Sequence, residues 1–271
     1  MKKFWSLFFI FWPIVAVVFF AVSPSMNWWF PGEAASTIGA RIDSLFYLIL
    51  YLTGAAFIGT QVAMGYALWR ASGVKTEDKA WYSHGNHKLE LIWTVIPALV
   101  LLFIAFEQMD VWAEFRMVDR VAVEIQQNPV AEVTARQFEW RMRYPAPGEQ
   151  LQLLPQPSDM FIVNELVLPA GRKVVINLRT SDVQHSFFSP QLRVKQDAVP
   201  GKMIPIWFEV PKPGTYDLVC AELCGWGHYK MRALIKVLPE EEYDAFLQSL
   251  YEDETSDGFV AKAGESTADE E

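Results

Sequence analysis

Two thiols, an imidazole and a thioether fall within twelve consecutive residues, Cys220-Ala-Glu-Leu-Cys224-Gly-Trp-Gly-His228-Tyr-Lys-Met231, and the 271-residue chain has no other cysteine. Soft sulfur donors beside imidazole suit copper. A thioether matches poorly with the thiolate and imidazole cages of zinc, and hard cations prefer oxygen. Two thiolates in one site can also be shared by two metals. Of the four histidines, His84 and His87 lie in a short loop between apolar segments, which leaves His185, in Ser-Asp-Val-Gln-His-Ser-Phe-Phe, as the available partner for His228. The alternative is a Cys220–Cys224 disulfide, which an oxidising compartment would permit. It leaves the spacing of His228 and Met231 to accident.

Rigid elements must hold such a loop, and the surrounding sequence supplies strands. From Val121 to Leu238 short β-branched or aromatic runs recur at 121–125, 130–140, 160–168, 173–178, 205–210, 215–220 and 231–238. Turn signals such as Pro-Ala-Pro-Gly at 145–148, Pro-Ala-Gly at 169–171 and Pro-Lys-Pro-Gly at 211–214 separate them. Several short strands with no helical period between them predict an all-β sandwich.

An apolar fraction of 52% leaves room for a membrane section beside that domain. Residues 45–69 are almost free of charge and exceed the roughly 20 residues that span a bilayer as a helix. A second span is predicted at 89–106, with Glu90 at its start and Pro97 inside it. The loop between them, 70–88, holds Arg70, Lys75, Lys79 and Lys88 against Glu77 and Asp78, so the positive-inside bias puts it in the cytoplasm and the β domain outside. At the N-terminus, Met1-Lys2-Lys3 and the apolar run to Val22 read either as a cleaved signal or as a retained third helix. The run exceeds the roughly 7–15 residues of a signal core, and Pro24 follows Ala21-Val22-Ser23. Both readings leave the β domain on the same side.

The net charge of −9 is concentrated in the tail. From Glu240 to Glu271 there are twelve acidic residues and one lysine, about −11, so the rest of the chain is close to neutral. Residues 239–250, with a leading proline, early glutamates and Tyr243, Phe246, Leu247 and Leu250 at helical spacing, predict a short amphipathic helix. Little order is expected beyond it.

The pattern C-x-E-x-C-x3-H-x2-M, with a distant histidine from His-Ser-Phe, resembles the CuA site of subunit II of haem-copper oxygen reductases, the cytochrome c oxidase family. The resemblance runs from the first hairpin helix to Leu238. It implies a membrane-anchored all-β protein: a signal or extra helix at 1–23, a transmembrane helical hairpin at 41–107, a cupredoxin-like Greek-key β-sandwich at 108–238, and a helix with an acidic tail at 239–271. It implies that Cys220 and Cys224 bridge two coppers, that His185 and Met231 complete one, and that His228 with the backbone carbonyl of Glu222 completes the other. The Glu222 side chain would bind magnesium or manganese at the junction with subunit I, for which a carboxylate is a suitable donor. Glu90 would stand at the mouth of a proton-uptake path; the plain alternative is a glutamate reaching into water.

One stretch departs from the family. Where Gln-Trp-x-Trp is typical, this chain has Gln137-Phe138-Glu139-Trp140. Phe138 and Trp140 are candidates for receiving the incoming electron, with plain core residues as the alternative. The implied function is electron transfer from a c-type cytochrome, soluble or membrane-bound, through binuclear copper to haem in subunit I, where oxygen becomes water and protons are pumped. Haem belongs only to the partner subunit, and no C-x-x-C-H occurs for a fused cytochrome. Other oxidase subunits and the lipid bilayer are the remaining partners. No nucleic acid is expected, and the location is a bacterial-type plasma (inner) membrane with the copper domain on the periplasmic side. Nitrous oxide reductase carries a similar motif but needs a histidine-rich second domain, a quinol oxidase subunit lacks the copper ligands, and a tethered copper carrier would not need Glu90 and Glu222.

Overall fold

In the computed structural model the described residues are 2–74, 82 and 84–256. The charges at Lys75, Glu77, Asp78 and Lys79 and the tail beyond Ser256 lie outside them. Three helices, α1 (Lys2–Val22), α2 (Thr37–Ser72) and α3 (His87–Arg116), are long and apolar enough to cross a membrane. The predicted spans at 45–69 and 89–106 lie inside α2 and α3. At ~1.5 Å per residue the 36 residues of α2 reach ~54 Å, beyond a ~30 Å hydrocarbon core. Apolar side chains such as Leu101 and Phe106 point outwards on α3, the pattern expected of a helix whose solvent is lipid.

Glycine and serine permit close helix contact here. The Ser6 hydroxyl of α1 donates to the Gly65 carbonyl of α2 at 2.9 Å, and a Cβ at Gly65 would meet Ile10 Cγ1 at 2.6 Å. His87, expected in a loop, is instead the first residue of α3. Asn86 caps that helix, its side-chain oxygen accepting from the N–H groups of Lys88 at 3.1 Å and Leu89 at 3.2 Å.

The β domain contains ten strands: β1 (Ala131–Arg136), β2 (Glu139–Tyr144), β3 (Met160–Val163), β4 (Glu165–Pro169), β5 (Lys173–Thr180), β6 (His185–Ser189), β7 (Val194–Ala198), β8 (Ile204–Glu209), β9 (Gly214–Cys220) and β10 (Arg232–Leu238). They form two five-stranded sheets, ordered β3-β2-β1-β5-β8 and β4-β10-β9-β6-β7. Inward residues of both, among them Trp140, Met142, Ile176 and Phe208 from one and Leu166, Phe187, Leu218 and Ile235 from the other, make one core. Full burial of each large side chain stabilises by roughly 1.5–3 kcal/mol before the cost of ordering the chain. The Tyr144 hydroxyl on β2 donates to the Val167 carbonyl on β4 at 3.1 Å and accepts from its N–H at 2.7 Å, which ties the two sheets together.

Several predicted runs are divided or changed. The run 130–140 folds back at Gln137–Phe138 into β1 and β2, and 160–168 breaks at Asn164, whose φ of 58° turns β3 and β4 into different sheets. The predicted strand at 121–125 is a correction: Val123–Gln127 is a short helix, α4. Helical spacing brings Val121 and Ile125 together against Val175 and Trp207, whereas strand alternation would have aligned Val123 with them; Val123 is 57% exposed. Gln126 Nε2 closes the turn on the Val121 carbonyl at 2.6 Å.

The C-terminal helix, α5 (Glu240–Ser256), covers the sandwich as its amphipathic pattern predicts, with Tyr243 buried and Phe246, Leu247 and Leu250 on the core. It runs six residues past the expected end, and Glu254 near its last turn accepts the Phe161 N–H at 3.0 Å. Residues 32–42 also pack with the β domain: Ala35 N–H donates to Gln191 O at 2.9 Å, and Ser36 Oγ donates to Leu192 O at 2.6 Å while capping α2.

Candidate metal centre

The registers bring the ligand-bearing residues to one end of the sandwich. β6 begins at His185, which pairs with Ala198 at the end of β7, and Phe187 pairs with Cys220 at the end of β9. The connection from Cys220 to Met231 is closed at its base by the Cys220 N–H donating to the Met231 carbonyl at 3.1 Å. Above that clamp, His228 and Met231 N–H groups make local bonds to Gly225 O and His228 O, and the Gln137 side-chain amide donates to the Cys224 carbonyl. Gly225 has φ of 135°, which a side-chain-bearing residue rarely adopts.

These bonds bring six donors together. Cys220 Sγ lies 3.9 Å from Cys224 Sγ, 3.8 Å from His185 Nδ1 and 3.2 Å from the Glu222 carbonyl. Cys224 Sγ lies 3.7 Å from His228 Nδ1 and 3.9 Å from Met231 Sδ. Both cysteines are free thiols, so the disulfide alternative is not realised. Donors bound at ~2.0–2.3 Å to a shared tetrahedral metal stand ~3.3–3.8 Å apart, close to the spacing seen. Thiol and imidazole donors at this spacing, with a thioether beside them, suit a soft transition metal. His185, Cys220, Cys224 and Met231 are buried, which excludes water and holds the donors in place.

Electrostatics differentiates the thiols. Burial raises the Cys220 thiol, but hydrogen bonding with His185 and the Glu222 and Ser186 backbone outweighs it and brings the group to about 6. Burial and the adjacent Cys220 sulfur hold Cys224 at about 11. Burial opposes the charged form of His185, yet Cys220 and Asp182 together raise its pKa. The Asp182 carboxylate lies 2.9 Å from His185 Nε2 and also accepts the Gln137 N–H at 2.7 Å and the Val183 N–H at 2.6 Å. Sequence reasoning missed Asp182 and Gln137. A carboxylate three residues before a histidine ligand was the available signal for the first; the second had none.

Glu222 contributes its carbonyl at the cluster, and among the described residues its carboxylate has no hydrogen-bond or ion-pair partner. Phe138 is half-buried against the ligand loop, while Trp140 is fully buried in the core, 6.4 Å between ring centroids from His185. Trp140 therefore offers no external contact surface. Glu90 lies in the first turn of α3, its carboxylate accepting the Asn86 N–H at 3.2 Å and lying 3.1 Å from His87 Nδ1.

Comparison with known proteins shows the family to which the chain belongs. The family model for the periplasmic domain of cytochrome c oxidase subunit II matches residues 136–238, and the one for its transmembrane domain matches residues 21–111. The alternative cytochrome c oxidase subunit 2 of Bradyrhizobium diazoefficiens is 31% identical over 254 residues, 87% of each chain. The cytochrome c oxidase subunit 2 of Cereibacter sphaeroides is 28% identical over 242 residues, 79% of this chain and 78% of the relative. Among solved structures, the periplasmic domain of subunit II of cytochrome oxidase (CoxB) of Bradyrhizobium japonicum is 25% identical, covering 45% of this chain and 93% of that one with a TM-score of 0.39. With its helical membrane section, its two-sheet domain and its loop of sulfur and imidazole donors, the chain belongs to the cytochrome c oxidase subunit II family.

Proposed function

We propose that Cys220, Cys224, His185, His228, Met231 and the Glu222 carbonyl hold a binuclear copper centre of the CuA type, which receives electrons singly from a c-type cytochrome and hands them towards haem in subunit I. The observation that carries this reading is the thiol pair with an imidazole beside each sulfur and a thioether as a sixth, weak donor. Bound copper would supply a one-electron redox couple shared across two thiolates. The chain's own residues keep that couple's surroundings fixed. The Cys220–Met231 backbone clamp sets the loop's width, Asp182 fixes the His185 ring with Nδ1 turned to the cluster, and the buried sulfurs exclude solvent. Because the Cys224 thiol is held up at about 11, its proton must leave when metal binds at neutral pH.

The same reading assigns the Glu222 side chain to magnesium or manganese shared with subunit I, and Glu90 to proton uptake. Free carboxylate oxygens at Glu222 and the placement of Glu90 at a helix start support these roles. The periplasmic-domain match supports a copper site on the outer side of the plasma membrane, with oxygen reduction and proton pumping residing in subunit I. The test is an electron paramagnetic resonance spectrum of the copper-loaded full-length chain in detergent. Hyperfine structure from two equivalent coppers is expected; a single-copper pattern would overturn the assignment.

A further inference from the structure

The ligand loop carries the most exposed large apolar side chains of the β domain, Leu223 at 77%, Trp226 at 77% and Tyr229 at 83%. Scattered apolar residues are ordinary on a surface; three on one ligand loop mark a contact site. Trp226 lies two residues from Cys224 and two from His228. Its indole rests edge-on against Phe138, with centroids 5.1 Å apart and planes at 65°. Phe138 in turn fills the space over both neighbouring glycines, since a Cβ at Gly225 or Gly227 would come within 3.2 Å or 2.5 Å of its ring. The phenyl ring is thus a support, and the indole above it is what a partner would meet.

The charges at this end are selective. Asp182 is occupied by His185 and two backbone N–H groups, and Glu139 by Arg136 at 3.1 Å and Arg141 at 2.7 Å. Lys230 Nζ lies 4.7 Å over the Trp226 ring, and Lys202 is exposed on the 199–203 loop that the β6–β7 register brings to the same end. Neither lysine makes an ion pair among the described residues. Glu222 is the one carboxylate left over on the ligand loop. Apolar contact with a cationic rim suits a partner whose own apolar rim is bordered by carboxylates.

We propose that Trp226 is the contact through which this chain receives electrons, from a donor protein whose cofactor edge opens through an apolar rim flanked by acidic residues. The proposal rests on the CuA reading and adds to it the residue and the partner's charge. With copper bound, the donor's cofactor would lose one electron and the centre held by these residues would gain it, with no bond made or broken. Phe138 is a positioning residue that fixes the indole.

The test uses the full-length chain in detergent and two single-haem c-type cytochromes, one with an acidic rim around its haem edge and one with a basic rim. Calorimetry on the copper-free chain reads binding without electron transfer, and stopped-flow absorbance on the copper-loaded chain reads the second-order rate. The acidic cytochrome should bind more tightly, and Trp226→Ala should weaken its binding and slow its reaction roughly tenfold or more. Lys230→Gln, which alters no ligand, should slow the acidic donor at low salt and converge on wild type at high salt. It decides the outcome if Trp226→Ala fails to load copper. Equal binding by Trp226→Ala and wild type, or preference for the basic cytochrome, would overturn the proposal. A wild-type chain without the two-copper resonance pattern would sink the CuA reading alone, since the copper-free affinities would stand.

Discussion

The Asp182 carboxylate meets His185 Nε2 at 2.9 Å, and this leaves Nδ1 as the nitrogen facing Cys220 Sγ at 3.8 Å. The contact fixes both the orientation of the ring and the nitrogen left for metal. It also bonds the 181–184 loop to the β1–β2 turn through the Gln137 N–H. Asp182→Asn retains the shape but removes the charge. Copper affinity should fall about 10–100-fold, the usual cost of losing such a partner. Chelator competition reads this directly, and an unchanged affinity would show that His185 is fixed by packing alone.

Gly227 and Phe138 form a second support. A Cβ at Gly227 would lie 2.5 Å from Phe138 Cγ and 2.6 Å from Cδ2, and the ring is held between this glycine and Trp226. Gly227→Ala should therefore destabilise the domain by about 1–3 kcal/mol, as overpacking does. Phe138→Ala in the same chain should recover part of that loss, because it removes the clashing ring. Thermal unfolding of the two single variants and the double variant gives the coupling. Additive losses would mean that the loop yields elsewhere.

The grouping of donors was legible because four of the five side-chain donors are neighbours in sequence, so spacing alone relates them. His185 was reachable by elimination among four histidines. Asp182 and Gln137 were not, since their roles depend on the register that brings three loops to one end. The same limit applies to Trp226: nothing local separates it from the ten other tryptophans. Among the elements, α5 followed from its spacing of apolar residues, whereas 121–125 misled because Val-Ala-Val-Glu-Ile alternates like a strand. Its packing against Val175 and Trp207 is a tertiary fact. The break at Asn164 likewise depends on a backbone turn within an apolar run.

A pH dependence follows from the hairpin that delivers most of the ligands. Asp217 on β9 accepts from the Gln191 side chain at 2.8 Å and from Arg232 Nε, next to Met231, at 2.9 Å. Gln191 first and Arg232 second hold its carboxyl below the usual value, against a smaller opposing effect of burial. A depressed carboxylate stabilises the fold above its unfolded pKa, near ~3.9, and that stabilisation is lost as pH falls through the lower folded value. Asp217 is partly exposed, so solvent screening limits the effect to about 1 kcal/mol or less. Wild type should unfold at higher temperature than Asp217→Asn at pH 6, with the gap closing as pH falls below the ordinary carboxylate range. A gap that persists in acid would assign the difference to shape instead of charge.

The first helix gives a prediction about the mature chain. Ser6 is fully buried against Gly65, and Ser23 is fully buried at the other end, where its hydroxyl accepts the Trp29 indole N–H at 2.6 Å. Backbone bonds from Ser23 N–H to Phe19 O, Met26 N–H to Val22 O and Trp28 N–H to Ser23 O carry the helix end into the turn that follows. Cleavage after Ser23 would cut inside that bonded turn and remove the partner that covers Gly65. The helix should therefore be retained as a third membrane span. Intact mass spectrometry of the membrane-extracted protein decides this: a mass that includes residues 1–23, with or without the initiator methionine, is expected, and a mass beginning at Pro24 would show that the segment is a signal and that its contacts with α2 do not outlast export.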